Sequence, residues 1–247
     1  MQIRNDTIAD GEGGAPRDEG RRSRGEDFSS VELTPELQAE LLDPESWGKI
    51  LELYARTMRL AVALIDPEGQ LIGTCHNPQP IWSLARDARP EWGAGCLFCL
   101  EPSGRCTAAA DALRTNSVVL VHDQAGFAHV ASPLSLGDRH LGTLIAGQVF
   151  DRYPESLPLQ RVVREFGLSA QPLWYVARQQ APISRTNLTV YGDLLGALGQ
   201  AFLRERYGGI LERRLAETNL LLGIIGSYVM STLPRWGGDI KARKRQG

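Results

Sequence analysis

Apolar residues recur along the chain in two rhythms, every third or fourth residue in some stretches and every second residue in others, and the switches between them mark the elements. In LTPELQAELLD, Leu37, Leu41 and Leu42 share one helical face, with Thr34 placed to cap the helix and Pro35 at its first position. A second helix is predicted over 46–58, where Trp47, Ile50, Leu51, Tyr54 and Met58 keep helical spacing. LAVALID and QLIGT, separated by the turn PEG, then read as a hairpin over 60–74. An irregular stretch with prolines and tryptophans follows, and after it an Ala-rich helix over 107–115. Three more strands are predicted over 117–121, 126–136 and 140–150, the last two joined by the short loop Gly137-Asp138-Arg139.

Beyond Phe150 the rhythm is helical. An amphipathic piece spans 157–166, and a long helix starts between Ser184 and Thr189 and passes Leu194, Leu195, Leu198 and Phe202. Gly208-Gly209 is expected to bend it or shift its phase. Leu211, Leu215, Thr218, Leu222, Ile225, Val229 and Thr232 then alternate steps of four and three, which describes either the seam of a two-stranded coiled coil or a stripe packed on the helix's own domain. The fold class is therefore α+β: an antiparallel sheet of about five strands flanked by helices, with a long C-terminal helix, the sheet's open face suiting a small ligand.

Composition sets the limits of this picture. Residues 1–28 carry almost no large apolar side chains and form an expected disordered tail. The ordered domain spans 29–206, a signalling or dimerisation helix 207–234, and a basic tail 235–247. With 27 Lys+Arg against 29 Asp+Glu, no concentrated basic face is implied, so direct nucleic-acid binding is not expected. The N-terminus lacks the apolar core of a signal peptide, and the apolar run over 220–230 is shorter than the roughly 18 residues that a membrane span needs. The expected location is the reducing cytoplasm, where stable disulfides are disfavoured.

Against that background the 4 cysteines stand out, because all fall in one segment: Cys75, Cys96, Cys99 and Cys106. Four thiolates could close the shell of one zinc ion or one iron-sulfur cluster. A single Cys-x-x-Cys knuckle with two separate cysteines matches the loose spacing of a cluster better than the paired knuckles of structural Zn2+, so an iron-sulfur cluster is favoured, with Zn2+ as the alternative. The plainer reading is that free cysteines simply pack as small hydrophobes. Among the histidines, His76 adjoins Cys75 and could replace it, His122 sits at a strand end, and His129 and His140 read as ordinary strand residues. Trp92, Phe98 and Phe127 are candidates to line a ligand cavity beside His122, with core packing as their alternative. Gln148, polar within the apolar strand LIAGQVF, must find a partner if buried, either a ligand or a neighbouring loop. No nucleophile–base pattern and no phosphate-cradling loop accompanies these residues, so an enzyme is not expected.

A set of short motifs in the middle of the chain resembles the PocR-type sensory domain. They are Phe98-Cys99, Gly104-Arg105-Cys106 with Asp111, Ala125-Gly126-Phe127, Ser132-Pro133-Leu134, Leu141-Gly142 and Gly147-Gln148-Val149. The resemblance follows element order over most of residues 40 to 205, and it implies a PAS/GAF-like fold that binds a small molecule and passes the signal to an output module. One departure is that Asp123-Gln124 stand where the family usually has Cys-His, with His122 one residue upstream. Another is that nothing after Gly209 resembles an output domain. The reading is of a cytoplasmic sensor that binds a small ligand or a metal cofactor held by Cys75, Cys96, Cys99 and Cys106. It would relay a small-molecule or redox signal through its C-terminal helix, as a homodimer or to a partner kinase or transcription regulator. The alternative is a non-catalytic interaction module with a structural zinc or merely packed cysteines.

Overall fold

Helices α1 (Pro35–Leu41) and α2 (Pro44–Met58) lead into strands β1 (Ala61–Ile65) and β2 (Leu71–His76). Helices α3 (Pro80–Ala88) and α4 (Ala108–Thr115) come next, then strands β3 (Val119–His122), β4 (Phe127–Leu136) and β5 (Arg139–Phe150), and last α5 (Ser156–Phe166), α6 (Ala170–Gln179) and α7 (Arg185–Thr232). This computed structural model describes residues 33–88, 96–100, 106–123 and 125–232; the expected tails over 1–28 and 235–247 and the expected pocket residue Trp92 lie outside them.

Local chemistry explains where the helices begin. The Thr34 hydroxyl accepts from the Leu37 amide at 3.3 Å, and the Asp43 carboxylate accepts from the Ser46 amide at 2.9 Å. Asp43-Pro44 repeats the cap-then-proline arrangement of Thr34-Pro35, so α2 starts at Pro44 rather than at 46. Helix α3 occupies the stretch that the sequence leaves irregular. Its first residue is Pro80, where a missing amide proton costs nothing, and it buries Ile81 and Ala85 on one face.

The strands form one five-stranded antiparallel sheet in the order β2-β1-β5-β4-β3, the α+β architecture expected from the sequence. Both faces are covered, and they differ in side-chain size. Val62, Leu64, Val130, Leu134, Leu144 and Ala146 pack with residues of α1, α2 and α7. On the other face the small side chains Ala61, Ala63 and Ala131 let Phe98 and the α4 residues Ala108 and Ala112 come close. No helix among the described residues is long and apolar enough to cross a membrane.

Helix α7 is 48 residues long, about 72 Å at 1.5 Å per residue, and continues unbroken through Gly208-Gly209. Its first half belongs to the domain: Leu188, Leu195, Leu203, Tyr207 and Ile210 are buried in the large-residue core. Gly192 lies so close to the sheet that a Cβ there would stand 2.8 Å from a Val118 methyl and 3.0 Å from a Val130 methyl. The Ser132 hydroxyl donates to the Gly192 carbonyl at 2.7 Å across the same contact. The second half leaves the domain, and every residue from 211 to 231 is exposed, Leu215 at 63% and Leu222 at 60%. The heptad stripe is thus not packed on its own domain among the described residues.

Gly192→Val should push α7 off the sheet and cost about 1–3 kcal/mol. Gly223→Ala, in the exposed half with nothing within 4 Å of the added carbon, should be neutral or stabilising by up to about 1 kcal/mol. Urea midpoints measure both, and equal effects of the two substitutions would contradict the close approach at Gly192.

Candidate metal centre

The residues 96–100 form a tight knuckle. The Cys99 amide donates to the Cys96 carbonyl at 3.4 Å, and the Phe98 amide points at the Cys96 sulfur at 3.4 Å. Phe98 and Leu100, both buried, root the knuckle in two different cores: Phe98 on the small-residue face of the sheet, and Leu100 beside Phe127 and Phe150.

Side chains from three elements grip its backbone. Arg86 of α3 donates to the carbonyls of Cys96 and Cys99, the latter at 3.3 Å, while its guanidinium lies 5.2 Å from the Trp82 ring. The Gln148 amide donates to the Leu97 carbonyl at 2.8 Å. Asp123 accepts from the Leu100 amide at 2.8 Å and also from the Ala125 and Phe127 amides, so one carboxylate ties the knuckle to the β3–β4 turn. Burial pushes the Asp123 carboxyl up, against the pull of those three amides.

Gln148 reaches the knuckle because β5 carries a bulge there. His129 pairs with Gly147 and Ala128 with Val149, which leaves Gln148 as the extra residue, at φ 61°. A Cβ on Gly147 would fall onto the His129 Cβ and the Ala128 carbonyl, so a glycine is what lets β5 pass His129. Gln148 also accepts from the Gln79 amide at 2.8 Å, and its own carbonyl accepts from the Gln180 side chain at 2.7 Å. Those two glutamines wall a cleft of about 620 Å³ between the ends of α2, α3, α6 and the start of α7, which also exposes Met58, Arg59 and Tyr191.

The sulfurs of Cys96, Cys99 and Cys106 and a ring nitrogen of His129 all lie within 4.8 Å of one another. Cys106, just before α4, places its sulfur 3.2 Å from His129 Nε2. Hydrogen bonds from the Cys96 and Cys99 thiols, and after them from His129, hold the Cys106 thiol far below its ordinary range. The bond to Cys106 pushes Cys96 up to about 12, and bonds to Cys106 and Cys96 push Cys99 up as well. Three sulfurs this close together make loss of all three protons costly without a cation among them.

The donor set fits one tetrahedral ion. Metal–sulfur and metal–nitrogen bonds of about 2.0–2.3 Å set neighbouring donors roughly 3.5–4 Å apart. His129 Nδ1 is buried without a partner among the described residues, so the ring holds Nε2 towards the sulfurs through packing alone.

Cys75 is outside this group, so the four donors that the structure brings together differ from the expected four-cysteine set. It sits on β2, an edge strand, whereas His129 is on β4, three strands and about 14 Å away in the sheet. Burial alone pushes its thiol up to about 11. His129 takes the fourth position. Its signal in the sequence was its register: Phe127, His129 and Ala131 alternate on one side of a strand whose first six residues are all buried.

The remaining candidates are spread out. Phe98 borders a small cavity of about 250 Å³ beside the knuckle. Phe127 packs on Phe150 with ring centroids 4.5 Å apart, and Gln148 makes the contacts described above. His122 Nε2 lies 2.9 Å from Asp151, which also pairs with Arg185 at the start of α7. Burial alone would raise the Asp151 carboxyl, but Arg185 and His122 outweigh it and hold it below the ordinary carboxylate range.

A family model described as the sensory domain found in PocR matches residues 40–207. Among solved structures, the chain is similar to one titled "The crystal structure of the GAF domain/HD domain protein from Geobacter sulfurreducens". The identity is 13%, over 57% of this chain and 96% of that one, with a TM-score of 0.29. No curated protein matches the chain.

Gln148→Ala leaves the Leu97 carbonyl and the Gln79 amide without their partner, and should cost about 1–3 kcal/mol for each group left unpaired. The urea midpoint should fall and the Leu100 amide should exchange faster; wild-type stability would count against the grip described here. Asp151→Asn should lower stability at pH 7, because the depressed carboxyl favours the folded state wherever the unfolded carboxylate is ionised, above about pH 4. The difference should vanish as pH falls through the lower folded value, and a pH-independent difference between the two urea midpoints would refute this.

Proposed function

The chain belongs to the family of sensory domains found in PocR, and from that membership we propose a sensory module organised around a zinc ion held by Cys96, Cys99, Cys106 and His129. The observation that carries this reading is the convergence of those four donors within 4.8 Å. Thiolates on different irons of a cluster stand farther apart than donors on a single ion, so the spacing supports zinc over the iron-sulfur cluster favoured by cysteine spacing alone. A bound zinc supplies a cross-link here, with all four positions taken by the protein and none left for substrate. The reading is accordingly of a binding and relay module rather than an enzyme, in a reducing compartment where the thiols stay available.

The residues around the centre suggest how a signal passes. The cleft of about 620 Å³ is the candidate site for a small-molecule signal, with an apolar floor and an amide-rich rim. Gln148 joins it to the knuckle through Gln79 on one side and Leu97 on the other. Tyr191 lines the same cleft from α7, and its carbonyl accepts from the Tyr54 hydroxyl, so occupancy of the cleft bears on the helix directly. The exposed stripe from Leu211 to Val229 is the surface through which α7 would pair with a second copy or engage an output partner.

Metal analysis and visible absorption of protein purified with and without air test the centre. About one zinc per chain and no colour are expected. Cys106→Ser and His129→Ala should lose or weaken the metal, while Cys75→Ser should keep it. Iron with labile sulfide, or metal-free protein from both preparations, would overturn the reading, and loss of metal in Cys75→Ser would restore a four-cysteine site.

A further inference from the structure

The four donors differ in how they meet the outside. Cys99 is 4% exposed and His129 is fully buried, whereas Cys96 and Cys106 are only partly buried. Both of the latter line the cavity of about 250 Å³, which is floored by Phe98 and Ile145, walled by Ala109 of α4, and edged by the β1–β2 turn with Glu68. Their sulfurs lie within 4.8 Å of each other. We propose that Cys96 and Cys106 are a peroxide-reactive pair, reached through this cavity, whose oxidation to a disulfide releases the metal. The proposal rests on the zinc reading and adds the regulation of that site.

A small uncharged oxidant suits the cavity, because Glu68 at its edge disfavours anions. One of the two thiolates attacks a peroxide oxygen, so that an S–O bond forms as the O–O bond breaks and hydroxide leaves. The second thiolate attacks that sulfur, forming the S–S bond and expelling the oxygen as a second hydroxide. Two electrons pass from sulfur to peroxide, two protons from solvent convert the hydroxides to water, and the ion keeps only Cys99 and His129. Cys99, buried away from the cavity, takes up a third proton from solvent as the ion leaves and remains a thiol.

The test treats the full-length zinc-loaded chain with hydrogen peroxide, follows zinc release with a chromogenic chelator, and maps the disulfide by mass spectrometry. A Cys96–Cys106 linkage formed in step with zinc release is expected. Ala109→Phe, which fills the cavity, should start with wild-type zinc content and react about tenfold more slowly or worse, and the milder Ala109→Leu should shift in the same direction. A Cys96–Cys99 linkage, zinc retention under peroxide, or wild-type rates in the cavity variants would overturn the proposal. Failure of the zinc reading shows separately, as protein without zinc before peroxide is added. The disulfide and its dependence on the cavity are then scored on the thiols directly.

Discussion

The bulge in β5 at Gln148 is the constraint on which both halves of the centre depend. One extra residue opposite Ala128 and His129 reverses the alternation of the strand, so that Leu144, Ala146 and then Val149 face the large core while Phe150 turns to the other side. The same residue projects its amide into the knuckle, and the glycine before it makes room for His129. The sulfur-bearing loop and the histidine-bearing strand are therefore positioned by a single irregularity. A regular strand would place Gln148 on the large-core side, away from the knuckle.

Much of this fold is legible in the sequence because its signals are local. The Thr34 cap, the hairpin around the β1–β2 turn and the strands flanking Gly137 follow from short-range alternation and turn chemistry. Helix α3 is hidden in the sequence because the prolines in and around it, Pro78, Pro80 and Pro90, suggest a loop, although Pro80 stands in the first turn, where a helix tolerates it. Helix α7 passes straight through Gly208-Gly209 because both glycines lie on its open side, with nothing within 4 Å to bend it.

The centre itself was half legible. Cysteine spacing marks the knuckle and Cys106, but sequence distance does not reveal strand order, and it is strand order that sends β2 and Cys75 to the edge. His129 reads as an ordinary strand residue because alternation gives its face and not its neighbours. Asp123 offers no ligand but ties the knuckle to the β3–β4 turn, accepting from the Leu100 amide on one side and from the Ala125 and Phe127 amides on the other.

Helix α7 is one unbroken rod whose inner half is clamped to the sheet and whose outer half is exposed, with Arg213 and Arg214 pairing with Glu40 of α1 where it leaves the domain. The exposed part, residues 211 to 231, extends about 30 Å beyond the last buried side chain, Ile210. Such a rod works as a lever with its fulcrum at the domain's rim. A tilt of about 5° at the sheet would carry the far end through roughly 3 Å, half a helical turn of displacement from a change small enough to fit within packed side chains.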